Sequence, residues 1–424
     1  MKKLVLSALI VSSLIFTGCF KDDDTPIIIE ETTIINQNGN GTSGEECPIV
    51  NITGSITEST TWTNNNIYRL NQKVVVDNGA TLTIQEGTII KGSPGTGSLA
   101  SALIIARGAK INAVGTAAQP IIFTSTSDNI SCDETAGTNL DENDRGLWGG
   151  LIILGNAPCS FSGDITEAQI EGIPADDSFG LYGGTDAADN SGVVSYISIR
   201  HGGTLIGEGN EINGLTLGGV GNQTVINNIE VVANVDDGIE FFGGTVNATN
   251  LLVWAQGDDA LDIDQAYSGT IDNAVVVLGN FSDHAFEIDG PEGSALGSFT
   301  LQNATIIGNT VTENGEYADY RSGATGTTNN IYAFGFKTSS DIELDNDGVA
   351  TNYNNSNLIF GAWEIVLPSG VTDVTTPFVN KAEIVTVIGF GSTATAITQG
   401  NNTVGATTSD LSWTYSNTAG NLGF

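Results

Sequence analysis

Around residues 228–290 the chain writes one unit three times: INNIEVVANVDDGIEFFGG, then TNLLVWAQGDDALDIDQ, then DNAVVVLGNFSDHAFEIDG. In each copy an Asn opens a short apolar run and a Gly/Asn turn follows. An acidic pair or its equivalent then precedes a second short strand. The opening asparagines, Asn228, Asn250 and Asn273, are 22 and 23 residues apart. The acidic starts, Asp236, Asp258 and Asp283, are 22 and 25 apart. The asparagine register continues through Asn303, Asn330 and Asn357 at steps of 30, 27 and 27. A period in the low twenties that loosens by whole loops is the signature of a solenoid.

Each unit holds two or three strands of about five residues, rich in Val, Ile, Leu and Phe and too short for helices. One unit cannot bury its apolar face alone. Stacked units can, each strand pairing in parallel with its equivalent one turn on, about 4.8 Å away. The expected fold is all-β, a single-stranded parallel β-helix with terminal caps. An Asn at the same bend of every turn is expected to form a ladder, each amide bonding to backbone and to its neighbour in the stack.

Aligning DDGIEFF, DDALDID and DHAFEID puts Ile239, Leu261 and Phe286 in one inward column and Phe241, Ile263 and Ile288 in another. Alternation turns the residues between them outward. The outward columns are Glu240/Asp262/Glu287 and Phe242/Asp264/Asp289. Like charges stacked on a sheet destabilise it, so this ridge calls for a cation, for raised pKa values or for full solvation. Glu240, Asp262, Asp264, Glu287 and Asp289 are the candidate metal ligands. Oxygen donors of this kind suit Ca²⁺. A fully solvated acidic ridge is the alternative.

The whole chain leans the same way: 13 Lys and Arg stand against 49 Asp and Glu, a net charge of −36. That argues against nucleic acid or an anionic membrane surface as a partner. Four cysteines are present. A disulfide between Cys132 and Cys159 is the favoured expectation for an exported protein, leaving Cys47 over; the other pairings stay open. No Cys/His zinc spacing occurs.

Residues 1–18 read as an export signal, with Lys2 and Lys3 before the apolar run 4–16. Phe16-Thr17-Gly18-Cys19 resembles a bacterial lipobox, which implies a lipid on Cys19. The following Lys21-Asp22-Asp23-Asp24 resembles the signal that sends lipoproteins to the outer face of the Gram-negative outer membrane. A simple solvated tether is the other reading. Residues 19–47 are expected to form the tether and 48–424 the β-helix, with a loop insertion at 159–190 and a C-terminal cap at 341–424, where the acidic motif is lost.

Four motifs carry a more specific resemblance: GLWGGLIILGNAP at 146–158, SGVVSYISIRHGG at 191–203, EINGLTLGGVGNQT at 211–224 and DDGIEFFGGTV at 236–246. They resemble a family of secreted bacterial proteins, many of them lipoproteins, with a right-handed β-helix of the pectin-lyase-like superfamily. The resemblance covers most of 70–340. It implies fold and location, but no reaction.

Lyases on this fold use Ca²⁺ with an Arg or Lys base. Between 146 and 336 the only basic residues are Arg200 and Arg321, so these are the candidate bases, with a charge-partner role as the plain alternative. A glycoside hydrolase needs two carboxyl groups, for which Asp258 and Asp259 with Asp236 and Asp283 are the candidates; His284 is the acid–His neighbour. The GHG and RIK signatures of polygalacturonases are missing, as are GxSxG, HExxH and Walker loops. The expected function is a surface lipoprotein whose acidic face, Ca²⁺-assisted, binds glycan, matrix or a surface protein. A carbohydrate-active enzyme is the runner-up, and a structural accessory of an outer-membrane complex the third reading.

Overall fold

The computed structural model describes residues 30–31, 47–174, 177–206 and 212–424. The export signal, Cys19 and the tether other than Glu30–Glu31 and Cys47 lie outside the described residues.

Each central turn carries one long and one short strand. The long strands include Val225–Val232, Asn247–Trp254, Thr270–Val277, Phe299–Ile307 and Gly326–Phe334. The short ones include Ile239–Phe242, Leu261–Asp264, His284–Ile288, Glu316–Tyr320 and Ile342–Leu344. Each of these strands pairs in parallel with its counterpart one turn on, as in Val231↔Val253↔Val276 and Phe241↔Ile263↔Ile288. The result is the parallel β-helix. The inward columns expected from alternation are buried throughout: Ile239, Leu261 and Phe286, then Phe241, Ile263 and Ile288. Their stacking fills one continuous core.

The long strands bend at the ladder asparagines. Asn228, Asn250, Asn273, Asn303 and Asn330 all have φ between 53° and 60°, a left-handed conformation that Asn tolerates better than most residues. Asn250 Nδ2 donates to Asn228 Oδ1 at 3.2 Å, Asn273 to Asn250 at 2.6 Å, and Asn330 to Asn303 at 2.9 Å. The ladder detours once, where Asn303 donates to Asp272 Oδ1 at 2.7 Å. It also ends one step early. Asn357 is no rung: it precedes the strand Leu358–Phe360, and its side chain donates to Asn352. Register puts Ala362, between Leu358–Phe360 and Trp363–Ile365, opposite Asn330.

Two segments cover the outside of the coil. The insertion 159–190 lays Phe161, Ile170, Ile173 and Tyr182 on the outer faces of Ile152, Leu154 and Phe242. The chain after residue 402 does not close the last turn. It runs back along the flank, from Glu364 past Thr305 and Asn273 to Glu230. There Leu411 and Tyr415 meet Val232, Leu252 and Trp254. The C-terminal region is therefore partly further solenoid, where Tyr353, Phe360, Trp363, Phe378 and Phe390 pack together on the last turns, and partly a lateral strap.

The disulfide differs from the favoured pairing. Cys47 bonds to Cys132 across 85 residues, with Cα atoms 5.7 Å apart. Cys159 is a free thiol lodged against Phe242 and Gly243 on a later turn. Stacking sets the neighbours here: Cys47 and Cys132 flank one small apolar cluster on the first turns, far from Cys159.

Candidate functional site

The short strands present one outward column without a break: Glu240, Asp262, Glu287, Asp319 and Glu343, each in register with the next. All five are more than nine-tenths buried. Neighbouring side chains and the insertion wall them in, so the solvated-ridge alternative does not describe this column. Asp264 follows Phe242 in the second column. Asp289 comes one residue beyond Ile288 and faces Arg321.

A third column forms from the second acid of each doublet. Asp237 Oδ1 accepts from Asp259 N at 3.0 Å, and Asp259 Oδ1 accepts from His284 N at 2.7 Å. His284 is thus the next member of an aspartate column, and Glu316 follows it in register. Its ring Nδ1 lies 2.8 Å from the same Asp259 oxygen. The first acids, Asp236, Asp258 and Asp283, form the lip. Together these columns enclose a cleft of about 460 Å³, with Glu171 from the insertion on one wall.

Burial is the chief reason the carboxyls hold their protons. It raises Asp237, Glu240 and Asp262 well above the ordinary carboxylate range; the charge of Asp262 adds to the first two, and those of Asp259, Asp264 and Asp289 add to Asp262, against a lowering hydrogen bond from Glu240. Asp264 is pushed up to about 7 by burial, with Asp289 and Glu292 adding to it. Asp258, partly buried at the lip beside Asp259, is pushed up to about 6. Burial would lower His284, but the Asp259 hydrogen bond and the fields of Asp259, Asp283 and Asp319 override it and raise the ring to about 9.

The cations are few and committed. Arg321 donates to Asp289 at 2.7 Å and pairs with Glu287, with Asp319 at 3.9 Å. It therefore belongs to the site, as a charge partner. Arg200 does not. It is buried on the opposite flank, bonding Ser198 at 2.7 Å and stacking on Tyr415 under the strap. Its strand is a long one, and long strands never line the cleft.

Several members escaped the sequence reading. Asp237 was hidden as the partner of Asp236 in its doublet. Asp319 and Glu343 were legible in the alternation of EYADY and DIEL, which carries the acidic column past residue 341, where the sequence suggested it stopped. Three oxygens in these columns are buried with no hydrogen-bond partner: Asp262 Oδ1, Asp319 Oδ1 and Glu343 Oε2, of which the last is ion-paired with Lys381.

Hard oxygen donors meet closely at three places in and beside the cleft: Asp236/Asp237/Asp258, Asp237/Glu240/Asp262 and Asp262/Glu287/Asp289, each set within 4.8 Å. Two oxygens bound to one Ca²⁺ at about 2.4 Å lie at most about 4.8 Å apart, so these donors fit that ion.

A family model described as a pectate-lyase-like beta helix domain matches residues 54–418. Comparison with curated proteins and with solved structures finds no match. The matched span covers the solenoid, the cleft and most of the strap, and the chain belongs to the pectate-lyase-like β-helix family.

Proposed function

We propose that this protein binds a glycan along the acidic cleft, with Ca²⁺ neutralising the buried carboxylates and bridging them to the sugar. The observation that carries this reading is the column Glu240–Asp262–Glu287–Asp319–Glu343, nine-tenths buried, with Asp262 Oδ1 and Asp319 Oδ1 unpartnered. A buried carboxylate oxygen without a donor is costly, and a hard cation removes that cost. The export and lipobox motifs support a second part of the proposal: Cys19 anchors the chain by lipid to the outer membrane, with the solenoid facing outward. Cys19→Ser should release the protein from the membrane fraction, and retention there would refute the anchor.

Thermal melts test the cleft. At a Ca²⁺ concentration 100 times Kd, binding only the folded state adds about 2.7 kcal/mol. The expected result is a Ca²⁺-dependent shift that Asp262→Asn/Asp264→Asn abolishes, together with Ca²⁺-dependent glycan retention. A melt indifferent to Ca²⁺ and chelator overturns the proposal.

One observation favours an enzyme as the second reading. Asp258 and Asp264 are raised to about 6 and about 7, toward the range a general acid for glycoside cleavage needs. A lyase fits less well, because Arg321 is tied to two carboxylates and Arg200 lies on the other flank. Release of sugar products that Asp258→Asn abolishes would favour hydrolysis. Glycan retention without products favours binding.

A further inference from the structure

Next to the cleft, past His284, the following two turns bring up a second group of side chains, of which the glycan reading uses Asp319 and Glu343 only as members of the acidic column. His284 and Glu316 are register partners on adjacent strands, with Nε2 3.9 Å from a Glu316 carboxylate oxygen. Glu343 reaches the same place from the next turn, and donor atoms of His284, Glu316 and Glu343 all lie within 4.8 Å of one another. This set differs from the all-oxygen sets because it contains an imidazole nitrogen.

Two further observations point to a ligand. Asp319, in register with Glu343 and only 5% exposed, has an Oδ1 with no hydrogen-bond partner. Its nearest cation is Arg321, 3.9 Å from the other oxygen. Asp259, moreover, holds His284 Nδ1 at 2.8 Å and leaves Nε2 turned toward Glu316. A carboxylate behind an imidazole, fixing its tautomer and aim, is the usual support of a metal-bound histidine.

We propose that His284, Glu316 and Glu343, backed by Asp259 and Asp319, bind a divalent transition ion of the Zn²⁺ type at the C-terminal end of the cleft, separate from any Ca²⁺ site. Imidazole with carboxylates suits such ions, whereas Ca²⁺ takes oxygen alone. Zn²⁺ bonds N and O at about 2.0–2.2 Å in tetrahedral geometry, which sets its donors about 3.4 Å apart, so the 3.9 Å pair closes by about half an ångström on binding. Binding displaces the Nε2 proton. The Lys381 ammonium now pairs with Glu343 and lies 3.8 Å from Asp341. It stands on a half-exposed stem and can swing out. The proposal does not depend on the Ca²⁺ reading.

The chain has two histidines, His201 and His284, so isotope-labelled histidine reads the site directly. His201 is buried, with Nδ1 2.7 Å from Asp144 O. Full chain stripped of metal, with ¹⁵N-histidine, is titrated with ZnCl₂. The expected result is a shift of one Nε2 resonance at one equivalent, absent in His284→Gln, and persisting in excess Ca²⁺. Zn²⁺ affinity should fall more than about tenfold in Glu316→Gln, and about 10–100-fold in Asp259→Asn; Lys381→Ala should bind at least as tightly as wild type. If His284→Gln does not fold by circular dichroism, Glu316→Gln carries the comparison. Failure of Zn²⁺ to shift either ring, a shift of His201, one-for-one displacement by Ca²⁺, or unchanged affinity in Glu316→Gln each overturns the site. Loss of the Ca²⁺ melt shift alone leaves it standing.

Discussion

Asp262 lies between Glu240 and Glu287 in the column, with Asp259 and Asp264 close by. Burial, and then the charges of Asp259, Asp264 and Asp289, favour its protonated form. The same holds for Asp237 and Glu240, so the folded protein binds more protons than the unfolded chain. Free carboxyls titrate near 4, whereas the folded values reach about 6 for Asp258, about 7 for Asp264 and about 8 for Glu316. Stability must fall as pH rises through that window, because folding takes up protons there. His284 works in the same direction. Its contribution is whole below about 6.5, the unfolded value, and is lost as pH climbs through about 9. The metal-free protein should therefore melt lower at pH 8 than at pH 5. Asp262→Asn should flatten that slope and raise the melting temperature near neutrality, where the wild-type carboxyl is disfavoured as a carboxylate. Melting in chelator across pH checks this; a flat profile in the wild type would show that the carboxyls are solvated after all.

At the scale of the element, the ladder asparagine serves two needs at once. It tolerates the left-handed bend in the long strand, and its amide reaches the next rung. Substitutions at Asn250 separate the two. Gly keeps the backbone freedom but removes the hydrogen bonds to Asn228 and Asn273. Ala loses the bonds and also strains a residue whose φ is 56°. The expected order of stability is wild type, then Gly, then Ala. The bonds are worth about 1 kcal/mol each and the strain about 1–2 more. Denaturant midpoints on the three proteins decide it, and Ala equal to or above Gly would show that the bend carries no strain. The ladder was legible because five asparagines recur at steps of 22 to 30 residues, each at the same place before an apolar run. Its end at Asn330 was not, since an Asn at 357 keeps the period while the chain has already left the geometry. The long strands held another signal that alternation alone passes over. Leu251–Trp254 and Ala274–Val277 are apolar at every position, which means burial on both faces. Inward go Leu251, Val253, Ala274 and Val276; outward, Leu252, Trp254, Val275 and Val277 wait for a cover.

For the whole molecule, the period made the fold and the middle of the cleft readable, since register follows from equal steps. What it could not supply is contact between segments far apart in sequence. The Cys47–Cys132 bond joins residues brought together by stacking, and nothing in their spacing favours them over Cys132–Cys159. The strap is the larger case. Its contacts reach from Glu364 to Glu230, and residues 411–416 bear no repeat that would place them on the flank. Once there, they complete a buried polar knot. Ser416 N and Oγ both donate to Glu230 Oε1 at 2.7 Å, and Arg200 lies between Ser198 and the Tyr415 ring. The strap is held by side-chain contacts and adds no strand to the ladder, whereas the solenoid beneath has its own core and parallel ladder, so the two should part separately. Leu411 is the apolar pin, fully buried against the outward face of the long strands. Leu411→Ala removes about 2–5 kcal/mol, a loss that falls on strap docking first. The variant should show rapid amide exchange and proteolytic cutting within 402–424, while exchange in Leu261–Asp264 and the far-ultraviolet spectrum stay as in wild type. Equal protection of strap and short strands in the variant would mean that the strap is integral to the solenoid and unfolds only with it.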